Sequence, residues 1–330
     1  MEACLIVTYR CNGKCYMCNT WQFPTRVQEE YSPDLVDKLP EGLAFINITG
    51  GEPFLRKDID QIVEKALTKT KRLVISSNGY FTERIIKLFE KFGNQIGVRI
   101  SIEGLPAAND ELRGIKDGFD HGLRTLTTLY GMGIKDIGFG ITVSDRNAKD
   151  VIELYWLANA MNVEFATATT HNSFYFHKDD NRYQDQDLVA RAFEEIAREL
   201  LKTKRPKNWF RAYFNMGLAR KVRGQKRALP CEVGTDMFFV DPFGNVVPCN
   251  GSDAPMIMGN LHKQSFKEIW NSPQAEKVRE MVKKCPKQCW MIGSASPAMK
   301  KRISVPLKWI VKNKLRMMKN RGKNICIDPI

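Results

Sequence analysis

Cys11-Asn-Gly-Lys-Cys15-Tyr-Met-Cys18 lies directly after the apolar run Cys4-Leu-Ile-Val-Thr8, near the start of a 330-residue chain. A short apolar run of this kind is typical of a buried parallel strand, so the cysteines are expected in the loop at its carboxyl end. Thiolates at the spacing C-x-x-x-C-x-x-C can hold three irons of a four-iron cluster and leave the fourth iron open. A zinc site is the alternative, but zinc normally has a fourth protein ligand, and no further His or Cys follows within the loop.

Three later apolar runs also end in polar or glycine-rich segments. Phe45-Ile-Asn-Ile-Thr49 ends in Gly50-Gly51-Glu52-Pro53, and Leu73-Val-Ile75 ends in Ser76-Ser77-Asn78-Gly79. The third run begins near Ile96 and ends in Ser101-Ile102-Glu103-Gly104, and Arg113 follows shortly after it. Glycines at a strand end let the backbone approach a ligand, and a carboxylate beside them can accept hydrogen bonds from an ammonium group.

Together these segments resemble the radical S-adenosylmethionine (radical SAM) superfamily. The resemblance implies that Cys11, Cys15 and Cys18 hold a [4Fe–4S] cluster whose open iron binds SAM. The expected SAM contacts are Met17, Gly50, Gly51, Glu52, Pro53, Asn78, Ser101, Glu103 and Arg113. The chain has Met17 where many members have an aromatic residue, and Glu103 where the peptide- and sulfatase-modifying branch usually has Asp.

The remaining layout predicts an α/β fold. Six strand-like runs begin near Cys4, Phe45, Leu73, Ile96, Ile137 and Val163, with helical stretches between them. Strands alternating with helices imply parallel βαβ units. The family resemblance implies a partial (β/α)6 TIM-like barrel, with the chemistry at the carboxyl ends of the strands.

A second cysteine group, Cys231, Cys249, Cys285 and Cys289, follows the predicted barrel. A turn at Asp241-Pro-Phe-Gly-Asn245 between two apolar runs predicts a β-hairpin, and Ser265 precedes a predicted helix. This region resembles the SPASM/twitch extension, which implies one auxiliary [4Fe–4S] cluster held by four thiolates. A Cys4 zinc ribbon is the alternative. Cys4 and Cys326 receive no role.

Four domains are expected: the barrel over 1–200, a basic linking segment over 201–230, the auxiliary cluster domain over 231–296 and a basic amphipathic tail over 297–330. The linking and tail segments each contain ten Lys or Arg residues, so most of the net charge of +14 lies in these two segments. The charge of the linking segment is suited to an anionic substrate or partner nearby. The alternative is that the segment is a solvated linking helix. Nucleic acid is not expected, because no recognition module accompanies the charge.

The tail contains apolar residues at helical spacing with a basic flank. The stripe comprises Leu307, Ile310, Val311, Leu315 and Met318. We expect this stripe to pack on the barrel, with peripheral contact to an anionic membrane surface as the alternative. Seven thiolate ligands require a reducing, oxygen-poor compartment, which predicts a cytoplasmic protein that works anaerobically.

The resemblance implies a radical SAM enzyme that removes a hydrogen atom from its substrate after reductive cleavage of SAM. The main hypothesis is dehydrogenase-like oxidation of a small polar, possibly anionic, molecule such as a sugar, aminocyclitol or nucleotide sugar. The first alternative is modification of a peptide or protein side chain, and the second is a non-catalytic metal-binding protein. A flavodoxin or ferredoxin would supply electrons. His171, after the sixth strand, is the candidate catalytic base or hydrogen-bond donor.

Overall fold

The computed structural model describes residues 1–319 and 327–330. All six predicted strands are present, and they run parallel. Their bounds are β1 Glu2–Ile6, β2 Phe45–Thr49, β3 Leu73–Ser77, β4 Ile96–Ser101, β5 Ile137–Val143 and β6 Glu164–Thr169. The helices between and after them are α1 Ile59–Lys69, α2 Thr82–Phe92, α3 Pro106–Arg113, α4 Gly118–Gly131, α5 Val151–Ala160 and α6 Gln186–Lys202.

The strands follow one another in chain order across the sheet, from β6 at one edge to β1. The outer neighbour of β1 is a later strand rather than β6, so these six strands do not close into a full barrel. The protein is therefore an α/β protein with a partial (β/α)6 TIM-like barrel. The carboxyl ends of all six strands lie at one edge, where a parallel barrel carries its functional loops.

The predicted hairpin is present as β7 Met237–Val240 and β8 Asn245–Val247, and a short β9, Gly259–Asn260, pairs with β8. The hairpin does not form a sheet of its own. β7 pairs in parallel with β1, in a register that places Glu2 opposite Met237 and Leu5 opposite Val240. This pairing covers the edge of the barrel sheet, which would otherwise expose unpaired backbone groups.

The remaining helices are α7 Pro206–Val222, α8 Phe266–Trp270, α9 Pro273–Lys283, α10 Ile292–Lys301 and α11 Ser304–Lys319. Ser265 caps α8 as predicted, because its hydroxyl accepts a hydrogen bond from the Glu268 backbone amide while the Glu268 carboxylate accepts one from the Ser265 amide.

The segment 201–230 is not a solvated linker. Tyr213 and Phe214 on α7 are buried in the same hydrophobic core as the barrel strands. Several of its cations are already paired within the chain: Lys207 and Arg211 bind Glu164, and Arg223 binds Asp187 and Glu194. These three cations are therefore not free to attract the anionic substrate or partner that the charge of the segment allowed.

The tail helix α11 packs on α7 and α6, but through a different face from the one expected. Pro306, Trp309, Ile310 and Asn313 are its buried residues. Of the predicted stripe only Ile310 is buried, because the Trp309 indole occupies the interface and donates to the Asp328 carbonyl oxygen at 2.8 Å. Cys326 lies outside the described residues. In the described part of the chain, no helix combines the length and apolar character needed to cross a membrane.

Candidate active site and second cysteine group

A cavity of about 260 Å³ opens at the carboxyl ends of the barrel strands. Its wall contains residues from the ends of β2 to β6 and from the loop after β1. The predicted site residues that line it are Cys11, Cys15, Met17, Cys18, Gly50, Gly51, Asn78, Ser101, Glu103, Arg113 and His171. The structure thus brings together eleven positions spread over 161 residues of sequence.

The end of helix α3 holds the cysteine loop. The Lys14 backbone amide donates to the Arg113 carbonyl oxygen at 2.9 Å, and the Tyr16 amide donates to Leu112 at 2.8 Å. The Gly13 amide points at the Cys11 sulfur, 3.3 Å away. Fixed backbone donors of this kind hold the loop in place and stabilise a thiolate at Cys11.

Burial raises the pKa of the Cys11 thiol to about 12, and the pKa of Cys15 is also raised by burial. The Gly13 amide opposes this shift at Cys11, and the Arg113 guanidinium opposes it at Cys15. Buried thiols in an apolar setting are poor nucleophiles, whereas a metal ion deprotonates them outright. This setting suits metal ligands better than nucleophilic cysteines.

Neighbouring backbone atoms leave no space for a side chain at the two glycines that follow β2. A Cβ atom on Gly50 would lie 2.3 Å from the Thr8 carbonyl oxygen, and one on Gly51 would lie 2.2 Å from that of Arg10. Gly50 also has a φ of +150°. Larger residues would force the β2 loop away from the cysteine loop, so these glycines set the spacing between the two loops as well as lining the cavity.

Glu52 and Pro53 differ from expectation, since neither is among the described residues that line the cavity. The Glu52 carboxylate is fully buried and accepts hydrogen bonds from Phe54, Ser77 and Asn78. Its oxygens are therefore used within the protein rather than directed at a ligand ammonium group. Glu52 ties the end of β2 to the end of β3 and so positions the lining residue Asn78.

Arg113 and Glu103 form a buried ion pair in the cavity wall. Arg113 Nη1 donates to Glu103 Oε1 at 2.9 Å, and Glu103 Oε2 accepts from the Thr142 amide at 2.6 Å. Burial raises the pKa of Glu103, and the adjacent guanidinium opposes that shift. Arg113 Nε is buried without a hydrogen-bond partner, which leaves a donor for a bound anionic group.

The backbone of Met17 is fixed from the far side of the cavity. The Asn181 side-chain amide donates to the Met17 carbonyl oxygen at 3.1 Å and to that of His171 at the same distance. Asn78 donates to the Asn12 side chain at 2.7 Å, which links the β3 loop to the cysteine loop. These contacts connect opposite walls of the cavity through neutral amides.

His171 lies in the loop after β6. Burial and, to a smaller extent, the nearby Lys221 lower the pKa of its imidazole to about 3. The ring is therefore neutral at neutral pH. Its Nε2 atom is buried and has no hydrogen-bond partner. A neutral, unpartnered imidazole in the cavity wall can accept or donate one hydrogen bond to a ligand.

The second cysteine group also comes together. Burial raises the pKa of Cys249 to about 11, and the other three thiols, Cys231, Cys285 and Cys289, are close enough to contribute to that shift. Each cysteine lies next to a different element, so the group depends on the whole C-terminal arrangement. All four are free thiols.

The loop 170–176 lies between the two cysteine groups. On one side Thr170, His171 and Phe176 line the cavity. On the other side Phe174 donates from its amide to the Ser252 carbonyl oxygen at 2.8 Å, and Ser173 donates from its hydroxyl to that of Asn250. The segment directly after Cys249 therefore contacts a loop that forms the cavity wall.

Three cations surround the second group. No sequence motif identifies them, although two of the three lie in the basic segment 201–230. Lys221 donates to Thr170 at 2.9 Å, and Lys287 donates to the carbonyl oxygens of Asn172 and Gly251, each at 2.9 Å. Arg227 donates to the carbonyl oxygen of Cys289. Burial lowers the pKa of Lys221 to about 8, while Cys289 opposes that shift. We call Lys221, Arg227 and Lys287 the cationic collar.

Both groups fit iron–sulfur clusters in donor chemistry. Among the described residues, no three His, Cys, Asp or Glu side chains are grouped as ligands of one metal ion. In a four-iron cluster each cysteine can bind a separate iron, so such tight grouping is not required. The unpartnered nitrogens of Arg113 and His171 leave polar atoms in the first cavity for a second ligand.

Two family models match the chain. Residues 5–157 match the radical SAM superfamily, and residues 231–291 match the SPASM iron–sulfur cluster-binding domain. The protein is therefore a member of the radical SAM superfamily with a C-terminal SPASM domain. Membership brings SAM and a [4Fe–4S] cluster as cofactors of the first domain, and auxiliary iron–sulfur binding in the second.

Several curated proteins are similar to the chain. An Fe-coproporphyrin III synthase from Methanosarcina barkeri is 35% identical over 45% of this chain and 38% of its own length. An AdoMet-dependent heme synthase from the same organism is 27% identical over 83% of each chain. The antilisterial bacteriocin subtilosin biosynthesis protein AlbA from Bacillus subtilis is 25% identical over 84% of this chain and 61% of its own length.

Among solved structures, Streptococcus suis SuiB bound to S-adenosylmethionine is similar in fold. Its TM-score is 0.66 at 15% identity, over 85% of this chain and 68% of SuiB. This likeness supports the partial barrel with its C-terminal domain.

Proposed function

We propose that the protein is a radical SAM enzyme that modifies the side chain of a peptide or protein. The observation that carries the reaction type is the single cavity lined by Cys11, Cys15 and Cys18, the strand-end glycines and the Arg113–Glu103 pair. A cavity that joins a three-cysteine loop to an unpartnered arginine nitrogen provides places for both a cluster and the carboxylate of SAM.

Cys11, Cys15 and Cys18 would hold the first cluster, and Cys231, Cys249, Cys285 and Cys289 the second. When bound, the first cluster would supply the electron for reductive cleavage of SAM, the chemistry that allows a hydrogen atom to be removed from an unactivated C–H bond. Within the protein, Arg113 offers its Nε–H to the SAM carboxylate. Glu103 keeps the guanidinium in place, and Glu52 keeps the β2 and β3 loops together.

The substrate end of the cavity favours a neutral group. Thr142, Thr170 and His171 supply hydroxyls and a neutral imidazole. Among the described lining residues, the charged ones are Glu103 and Arg113, which pair with each other. Hydroxyl and imidazole groups can hydrogen-bond to a peptide backbone, whereas a sugar phosphate would require an unpaired cation.

The names of the relatives also weigh against a sugar substrate. The three described above are named for heme or coproporphyrin synthesis and for bacteriocin biosynthesis. None of the three protein names mentions a sugar or an aminocyclitol, the class of substrate that we mainly expected from the sequence. Modification of a peptide or of a cofactor is therefore better supported than oxidation of a sugar.

A tetrapyrrole carboxylate is the second candidate substrate. The observation in its favour is the match to the heme synthase, which spans 83% of both chains, whereas the bacteriocin protein is matched over 61% of its own length. The pairing of Arg113 with Glu103 weighs against it, because the propionate groups of a tetrapyrrole would need cations.

A transfer experiment tests the proposal. The full-length protein is reconstituted with iron and sulfide without oxygen, then given SAM, a reductant such as flavodoxin, and one deuterated candidate. The candidates are a peptide pool from a perdeuterated protein digest, a deuterated sugar phosphate and a deuterated coproporphyrin. We expect deuterium in 5′-deoxyadenosine with the peptide pool.

Label from the coproporphyrin alone would favour the second candidate, and label from the sugar phosphate alone would overturn both. The control is Cys15→Ala, which should form no 5′-deoxyadenosine in any mixture. Formation of 5′-deoxyadenosine by this variant would contradict the assignment of the first site.

A further inference from the structure

Helix α11 exposes a row of large apolar side chains that the barrel does not cover. Leu307, Val311, Leu315 and Met318 are 40%, 54%, 52% and 60% exposed, respectively. Their spacing of four, four and three residues places them along one side of the helix. We call these four residues the apolar stripe.

The stripe is distinct from the face that holds the helix to the protein. That inner face contains Trp309, Ile310 and Asn313, and Lys314 lies over the Trp209 ring at 3.9 Å. The helix is therefore anchored without the stripe. Four neighbouring apolar side chains left in water on an anchored helix indicate an interaction surface rather than a missing part of the core.

The charge beside the stripe identifies the kind of partner. Lys308, Lys312 and Lys319 follow stripe residues by one position each, so they form a basic row along one margin of the stripe. Helix α11 contains no Asp or Glu. In the part of the chain described, the neighbouring carboxylate is Asp328, which binds Lys312 and Arg316.

An apolar row beside a basic row is the pattern of helices that lie in the interface of an anionic bilayer. The apolar side chains enter the boundary between headgroups and acyl chains, and each lysine near the surface adds attraction to anionic lipid. A second copy of this chain is a poorer occupant, because its α11 has the same positive charge and offers no carboxylate of its own to pair with the basic row.

We propose that the apolar stripe and basic row of α11 dock the protein on an anionic membrane surface, with the helix lying parallel to the bilayer. The contact is peripheral. The helix remains packed on α7 through Trp309 and Ile310, so docking does not require the protein to unfold locally.

Vesicle flotation tests the proposal. The full-length reconstituted protein is mixed without oxygen with vesicles of phosphatidylcholine alone or of phosphatidylcholine with phosphatidylglycerol. We expect flotation with the phosphatidylglycerol vesicles only, and weaker flotation as salt is raised. Absence of flotation with the anionic vesicles at low salt would overturn the proposal.

Two variants separate the contributions of the stripe and the charges. Leu307→Ser with Val311→Ser and Leu315→Ser should reduce vesicle affinity by at least about tenfold, because less apolar area enters the interface. Lys308→Gln with Lys319→Gln should reduce it by about tenfold and flatten its salt dependence. The matched control is Val27→Ser with Tyr130→Ser, which removes exposed apolar side chains elsewhere and should bind as wild type.

All three variants alter exposed side chains and should keep the melting temperature of the wild-type protein. Wild-type vesicle affinity in the stripe variant would overturn the proposal. Conversion of a wild-type dimer into a monomer by the stripe substitutions, measured by light scattering, would assign the stripe to a second copy and also overturn it.

Discussion

The two cysteine groups differ in their surroundings more than in their ligands. The first group lies in one loop and lines a cavity with Glu103 and Arg113. The second group comes from three separate segments of the chain, with Cys285 and Cys289 in one loop, and the cationic collar surrounds it. The first site thus has room for a second ligand beside three thiols, whereas the second has four thiols beside the cationic collar, of which Lys287 also pairs with Asp253.

We expect this difference to give the two sites separate tasks. An incompletely ligated cluster can bind and reduce a ligand, while a cluster with four thiolates can only hold or pass electrons. Nearby positive charge favours the more negative, reduced state of a cluster. We therefore expect the second cluster to be the easier of the two to reduce.

The largest expected effect separates the sites by loss of ligands. Cys15→Ala should abolish SAM cleavage and remove about four of eight irons per chain. Cys249→Ala should also remove about four irons but retain SAM cleavage in the absence of substrate. Iron analysis and chromatography of 5′-deoxyadenosine measure both. Loss of SAM cleavage in Cys249→Ala with the first cluster intact would contradict the separate roles expected for the two clusters.

A second prediction concerns the arginine of the first site. Arg113→Gln should weaken SAM binding by about ten- to a hundredfold, since a hydrogen bond to a charged group contributes about 1.5–3 kcal/mol. Equilibrium binding to the reconstituted protein measures the change. Arg26→Gln is the control, because the Arg26 side chain is exposed and pairs with Glu29 outside the cavity.

Removal of Arg113 also leaves the buried Glu103 carboxylate without its partner, which destabilises the fold. Arg113→Lys keeps a positive charge there and serves as the check on folding. Unchanged SAM affinity in a folded Arg113→Gln protein would show that this arginine does not contact SAM.

The cationic collar gives a third, smaller effect. Lys221→Met should lower the reduction potential of the second cluster by on the order of tens of millivolts and leave the first unchanged. A redox titration followed by electron paramagnetic resonance measures both potentials. Lys207→Gln is the control on the same helix. Lys207 lies at the opposite end of α7 from Lys221 and pairs with Glu164 of β6. Equal shifts of both clusters with Lys221→Met would contradict the assigned role.

The smallest predicted effect is the pH dependence of stability at His171. Its pKa in the folded protein is about 3, below its ordinary value of 6.5, because the ring is buried. The unfolded chain therefore binds an extra proton between these two values, and stability falls as pH decreases from about 6.5 towards 3.

Relative to a His171→Asn variant, the wild-type protein should lose about 1–2 kcal/mol of unfolding free energy between pH 7 and pH 5. Denaturant unfolding at the two pH values checks this difference. Parallel pH dependence in both proteins would show that His171 is accessible to protons in the folded state.

The sequence predicted local features well. The six barrel strands and the three-cysteine loop depend on short apolar runs and fixed spacing, which neighbouring residues determine. Of the twelve positions proposed as cluster ligands in the first loop or as SAM contacts, ten line the cavity. Glu52 and Pro53 were expected to contact SAM but do not line the cavity. The partners of a carboxylate depend on which loops meet at the sheet edge, which local sequence does not show.

Long-range features were less predictable. Nothing in Met237–Val240 indicates that this strand would pair with β1. The buried face of α11 is set by Trp309, an aromatic residue that lay outside the predicted stripe. The deciding partners, β1 for this strand and Tyr213 on α7 for Trp309, lie far away in the sequence, so the periodicity of the segment alone does not identify them.

The central claim is that the first cluster keeps an iron open to SAM and the second does not. The most direct test is electron paramagnetic resonance of the reduced clusters, one at a time, in Cys249→Ala and in Cys15→Ala, with and without SAM. We predict that SAM changes the spectrum of the first cluster in Cys249→Ala and leaves that of the second unchanged in Cys15→Ala. An unchanged spectrum in Cys249→Ala, with its cluster present, would contradict the claim.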